Sequence, residues 1–421
     1  LFACRGGSPS RWISAGSHCQ RSTAGRESVA TVTTTVTPTI ESHQRRIDDI
    51  EWLRAVAVLG VVVHHAQGNL FNWNPAWLGN LLGHLDMWSG VDIFFAISGF
   101  VIARSLLPKL QVCQSELGAA SRQVGAFWIA RAFRLLPSAW LWLALILIGA
   151  WQFNRLGAFG SVHTNAMAAL AGIFQVANFR FADAFANYPY GASFAYWSLS
   201  LEEQFYLALP LVALLLRRHV AWLLVLLIIV QAILPRTLLT MSLRTDALAW
   251  GVLLALTSRL PIFDRLEPRW LHGRRWLQRA ITLLLVVAIA AVSARESLTI
   301  GHRVSLIAVL AAILVWLAAY NHDFLSGLDG PIKRIMIWTG QRSYAIYLIH
   351  VPAFFFIREC WFRLIGTPPQ GGLIPTAVFA IAAGALIALL AEFNFRMVER
   401  PLRRVGRRVA NRIAKPSADM A

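Results

Sequence analysis

Charged residues are scarce in this sequence, at 14%, while hydrophobic residues make up 57%. A soluble domain usually carries about 25% charged residues, so the shortage excludes a soluble globular protein and points to an integral membrane protein. Most of the chain is then needed for membrane spans, which leaves no room for a sizeable soluble domain. Cysteine is scarce too. Cys4, Cys19, Cys113 and Cys360 stand apart, with neither metal-ligand spacing nor a disulfide framework. There is no Walker loop, no His-Glu-x-x-His and no Gly-x-Ser-x-Gly, which removes the common nucleotide, zinc and esterase signatures. No metal and no permanently bound cofactor is expected, and no domain-scale repeat is evident.

The one charge in excess is positive, with a net of +18. Such a balance can mean nucleic acid. Here the arginines cluster at the ends of apolar runs, where the positive-inside rule puts them, so no nucleic-acid partner is expected. An anionic partner at the cytoplasmic face fits the same charges.

Residues 1–45 are Ser/Thr/Arg-rich and lack the hydrophobic core of a signal peptide; they are expected to be disordered. Apolar runs follow at about 50–68, 89–107, 127–151, 166–178, 199–216, 220–235, 244–258, 280–294, 304–320, 342–358 and 373–395. The run at 166–178 is short for a span. If it crossed, the Arg-rich stretch from Arg259 to Arg279 and the pair Arg217-Arg218 would lie outside. Read instead as re-entrant or interfacial, it leaves both stretches inside with the two basic ends. The expectation is an all-α polytopic protein of ten spans with both termini cytoplasmic, in a bacterial inner membrane. The transmembrane domain is 46–405 and a basic cytoplasmic tail is 406–421.

Two ionisable residues fall within the first span, Arg54 and His65, eleven positions apart. Eleven helical steps return to the same face within roughly 20° and rise about 16 Å. An arginine at the headgroups therefore places His65 near mid-membrane, while His64 points roughly 80° away. Charge in hydrocarbon is costly and marks function by default, so His65 is the candidate and His64 is read as structural. Asp92 opens the second span, Glu202 and Glu203 lie early in the fourth, Arg244 and Asp246 open the sixth, and His350 lies in the ninth. One histidine and several carboxylates thus share the central-to-outer membrane. That suits acyl transfer to a hydroxyl, where a base takes the hydroxyl proton and a carboxylate orients the base. Glu202 and Glu203 point about 100° apart, so at most one shares the site. Asp92, Arg244 and Asp246 fit structural ion pairs as well as a site. Arg131 and Arg134 are i,i+3 neighbours that could clamp a phosphate or simply anchor the helix end. Ser98, with no nearby base in sequence, is read as helix packing.

Several segments together carry a resemblance. They are Leu53-Arg-Ala-Val-Ala-Val-Leu-Gly-Val-Val-Val-His-His-Ala66, Gly90-Val-Asp-Ile-Phe-Phe-Ala-Ile-Ser-Gly-Phe100, Arg131-Ala-Phe-Arg-Leu-Leu-Pro137, Trp197-Ser-Leu-Ser-Leu-Glu-Glu-Gln-Phe-Tyr206, Ser343-Tyr-Ala-Ile-Tyr-Leu-Ile-His350 and Val398-Glu-Arg-Pro-Leu-Arg-Arg404. The chain resembles the bacterial membrane acyltransferase family 3, which O-acylates cell-surface sugars. The resemblance implies a ten-helix domain, an acyl-CoA donor on the cytoplasmic side and a carbohydrate or glycolipid acceptor reached from the other side. It puts the motif Arg and His on Arg54 and His65, the Arg-x-x-Arg on Arg131 and Arg134, and the motif glutamate on Glu202. The expected catalytic set is His65 as base with Glu202 or Asp92, and the donor set is Arg131, Arg134 and Arg54. Glu203, Arg244, Asp246 and His350 are acceptor or support residues. A proton-coupled transporter or flippase of a lipid-linked or anionic solute is the alternative, with His65, Glu202 and Asp246 as its relay.

Overall fold

A computed structural model describes residues 47–71, 73, 76–113, 116–185, 187–294, 302–325, 327 and 329–415. The expected disordered segment 1–45 lies outside the described residues. In hydrocarbon every backbone group must be satisfied within its own segment, so long apolar runs become helices. The chain does this throughout: among the described residues there is no strand beyond one isolated bridge, Gln67 to Phe71. All eleven apolar runs are helical. In chain order the α-helices among the described residues are α1 (Asp48–Asn69), α2 (Ala76–His84), α3 (Gly90–Val112), α4 (Leu117–Gln152), α5 (Val162–Ile173), α6 (Ala177–Ala184), α7 (Tyr196–Leu216), α8 (Val220–Ile233), α9 (Leu238–Ser242), α10 (Asp246–Thr257), α11 (Pro261–Arg265), α12 (Arg275–Ser293), α13 (Arg303–Ala319), α14 (Gly330–Gln341), α15 (Ser343–Ile365), α16 (Leu373–Asn394) and α17 (Arg400–Ala414). Among the described residues, seven helical stretches are long and apolar enough to cross a membrane by length and composition. The chain is an all-α polytopic membrane protein.

The short run at 166–178 is two helices of 12 and 8 residues, α5 and α6, broken at Gln175 with φ 57°. Neither is long enough to span. They lie instead against α4 and α7.

At the centre, α3 crosses α10 at two glycines. A Cβ on Gly99 would come within 2.1 Å of the Leu248 carbonyl oxygen, and one on Gly251 within 2.1 Å of the Ala96 carbonyl oxygen. Small residues at such a crossing let two backbones approach, which drives helix association where lipid offers no hydrophobic incentive. Helix α1 packs against α3, α13, α14 and α15, so its polar residues face protein rather than lipid. Leu215, Trp222, Ile233, Leu283 and Leu389 lie exposed on the periphery, as a lipid-facing surface requires.

Five helices fall outside the apolar runs: the short α2, α9 and α11, and the longer α14 and α17. Helix α14 packs on the start of α1, where Gly340 meets the Glu51 carbonyl oxygen. Helix α17 continues α16 through a π-turn at Phe395–Glu399 and lies along α4, with Gly406 against Phe133. Residues expected as the start of a basic tail are therefore helical as far as Ala414.

Candidate active site

Regular helix in α1 ends at Ala66. Gln67 is extended and Gly68 takes φ 81°, a conformation open to glycine. His64 and His65 thus sit on the last regular turn. A helix end leaves carbonyls without intrahelical partners. Here Leu70 and Phe71 donate their backbone N–H groups to the Ala66 oxygen, and the Asn69 side chain donates to the His65 oxygen at 2.8 Å. The sequence places the break, and the break aims both rings into the space beyond the helix.

That space is a cavity of about 1360 Å³. His64 and His65 line it with Trp73, Trp88, Phe181 and Trp197. His64, expected to point away, lines the cavity too, because Asp86 holds its Nδ1 at 2.6 Å. Sequence reasoning passed over Asp86; its signal was a lone carboxylate just before the second apolar run.

His65 is held from α15. Its Nδ1 lies 2.8 Å from His350 Nε2, and the ring planes are within 9° of parallel, so the rings meet edge to edge. His350 is fully buried, and its Nδ1 lies 2.7 Å from the Tyr347 carbonyl oxygen. A carbonyl only accepts, so His350 carries its proton on Nδ1 and, when neutral, presents Nε2 as an acceptor. His65 must then donate from Nδ1. Its own Nε2 is left with an unshared lone pair, the form a general base needs. Neither Glu202 nor Asp92 bonds the His65 ring; the orienting group is His350.

A second, smaller cavity of about 80 Å³ lies on the side of α1 that carries Arg54. Arg54, Arg131 and Arg134 line it together with one carboxylate, Glu202. Arg54 is anchored to Glu51 at 2.9 Å one turn earlier, and Arg131 lies over the rings of Phe127 and Tyr206 at 5.6 and 5.3 Å. Ser98 Oγ and the Tyr206 hydroxyl both donate to Glu202 Oε1. Ser98 is therefore a partner of the motif glutamate rather than packing alone, a relation that sequence distance hides. Glu203 lines neither cavity. Val91 and Tyr347 line both, so the two cavities adjoin there. The Tyr347 hydroxyl is tied to Ser198 Oγ at 2.8 Å and lies 3.1 Å from the Ala195 oxygen.

The remaining candidates are ion pairs. Both oxygens of Asp92 accept from Arg244, at 2.8 and 3.0 Å, and both residues are buried. The expectation that Asp92 assists His65 gives way: its carboxylate is buried against the Arg244 guanidinium, which it neutralises, and it does not bond the His65 ring. Arg244 stacks over Trp88 and Trp197 at 5.3 and 4.7 Å. Asp246 pairs with Arg236 at 2.8 Å, a partner the sequence did not single out. Elsewhere Glu267 Oε1 takes His322 Nδ1 at 2.8 Å and His272 Nε2 at 3.1 Å. These three could gather around a metal ion, but they line neither cavity.

The family model for the acyltransferase domain matches residues 47–392. The chain is 28% identical to a putative peptidoglycan O-acetyltransferase of Bacillus subtilis over 88% of its own length and 57% of that protein's. It is 28% identical to a peptidoglycan O-acetyltransferase of Listeria monocytogenes, covering 87% and 57%. It is 26% identical to an O-acetyltransferase of Staphylococcus aureus, covering 86% and 58%. The chain thus spans somewhat more than half the length of these relatives. No solved structure gives a significant match.

Proposed function

The chain belongs to the acyltransferase family whose model it matches, and we propose that it is a membrane O-acyltransferase. It moves an acyl group, acetyl first among candidates, from acyl-CoA to a hydroxyl of a carbohydrate or glycolipid. The observation that carries this reading is the tautomer chain from the Tyr347 carbonyl through His350 to His65, which leaves His65 Nε2 as a base facing an aromatic-lined cavity.

The donor enters from the side of Arg54, Arg131 and Arg134, whose guanidiniums suit the phosphates of coenzyme A. That side is the cytoplasmic one, in a bacterial inner membrane with both termini cytoplasmic, because the Arg-rich ends and turns gather there. The small cavity takes the acyl thioester, and Glu202 with Ser98 and Tyr206 shapes its wall. The acceptor occupies the large cavity. Its sugar packs along the aromatic wall of the cavity, and its hydroxyl reaches His65. The hydroxyl oxygen attacks the thioester carbonyl while its proton passes to His65 Nε2. The carbon–sulfur bond breaks, and the proton leaves with the thiolate as free coenzyme A. Transfer is direct, with no acyl-enzyme. Peptidoglycan is the first acceptor to test, since the relatives are named for it.

The test compares surface glycans of cells with and without the protein by mass spectrometry. An acyl mass present only with the protein supports the reading, and its fragment ions name the acceptor. Identical glycan masses in a membrane that takes up a solute without consuming acyl-CoA would favour a transporter.

A further inference from the structure

The large cavity carries a charge that the acyl-transfer chemistry does not use. Three arginines line it, Arg236, Arg244 and Arg303, and none of its lining residues is Asp or Glu. Two of the three are neutralised from behind, Arg236 by Asp246 and Arg244 by Asp92. Arg303 is different. Among the described residues its contact is the ring of Trp88, 5.7 Å from the guanidinium carbon, and it has no carboxylate partner. The same ring carries Arg244 at 5.3 Å. Two cations therefore share one indole with a single carboxylate, Asp92, between them.

Arg303 also opens α13, a helix of 17 residues. Its N-cap, His302, makes no side-chain cap hydrogen bond. Val304, the next residue, lines the cavity as well. An uncapped helix N-terminus and an unpaired guanidinium thus meet at one wall, and both attract anions. The Trp88 platform is itself fixed, since its indole N–H donates to the Ser293 oxygen at 2.7 Å.

We propose that the acceptor is anionic, and that Arg303 with the start of α13 holds a phosphate or carboxylate borne on or beside the acylated sugar. The proposal rests on the acyl-transfer reading and adds the acceptor's chemical class. It makes Arg303 a specificity residue in the cavity that also holds the base. A charge-assisted contact of this kind supports roughly a ten- to hundredfold preference.

The test uses the full chain in lipid nanodiscs with labelled acetyl-CoA and three acceptors. These are N-acetylglucosamine 1-phosphate, glucuronic acid and neutral N-acetylglucosamine. The expected result is a kcat/KM about tenfold or more higher for an anionic acceptor. Arg303→Gln collapses that ratio towards one, and Arg303→Lys keeps part of it. A ratio taken within one variant is insensitive to loss of folded protein. The phosphate and carboxylate arms show which anion is read. Equal use of all three acceptors by the wild type, or a ratio unchanged in Arg303→Gln, overturns the proposal and leaves the acyltransferase reading standing. If no acceptor is acylated, the acyltransferase reading fails, and calorimetric binding of N-acetylglucosamine 1-phosphate decides the anion site. Binding lost in Arg303→Gln upholds that site, and binding absent or unaltered refutes it.

Discussion

His65 Nδ1 and His350 Nε2 lie 2.8 Å apart with their rings nearly coplanar, and the backbone of α15 fixes the direction of every proton in the chain. His350 is thus a positioning residue. It touches no reacting atom in the proposed mechanism, yet it decides which nitrogen of His65 is free. His350→Ala is expected to lower kcat by about a hundredfold, the lower end of what a general base contributes. His350→Gln, whose amide oxygen can accept from His65 Nδ1, should recover part of that loss. Single-turnover assays of both variants check this. Wild-type turnover in His350→Ala contradicts the relay, and a glutamine variant no better than alanine contradicts the acceptor role.

The donor side makes a separate prediction. Arg131 and Arg134 line the small cavity with Arg54, and if they hold phosphates their removal acts on binding. Arg131→Ala and Arg134→Ala should each raise KM for acetyl-CoA by roughly tenfold, in line with the loss of a charge-assisted hydrogen bond. Lysine should restore only part, because it cannot bond a phosphate in two places at once. Initial-rate kinetics against acetyl-CoA measure this, and an unchanged KM in a folded variant removes the phosphate role.

Asp92 and Arg244 predict a stability effect rather than a catalytic one. The pair is bidentate and buried. Asp92→Ala leaves a buried guanidinium unpaired, which costs about 3–5 kcal/mol. The double variant Asp92→Ala with Arg244→Leu should unfold at a higher temperature than Asp92→Ala alone. Thermal unfolding in detergent tests the order. If Asp92→Asn abolishes turnover with unfolding unaltered, Asp92 acts in catalysis instead.

Much of this architecture is legible in the sequence because depth and helical face are local properties. Eleven helical steps place Arg54 and His65 on one face of α1, and the structure puts Arg54 on the small cavity and His65 on the large one. The run at 166–178 is short, and the placement of the Arg-rich stretches sets it aside as a span; it forms two short helices. What sequence does not carry is which helix meets which. His350 is readable as a buried histidine, but its register against His65 depends on how α15 packs on α1. Ser98 and Glu202 are 104 positions apart and still share a hydrogen bond. Asp86 and Arg303 lie at the ends of apolar runs, where one more polar residue draws no notice. Helices α14 and α17 escape because a search for apolar runs passes over helices whose apolar residues form only one stripe.

The central claim is that His65 Nε2 takes the acceptor's proton. The most direct test is the rate of acetyl transfer by His65→Ala, in protein whose unfolding temperature matches the wild type. A fall of about 10² to 10⁴ with acetyl-CoA binding retained is the predicted result. Transfer at the wild-type rate in that folded variant would contradict the account.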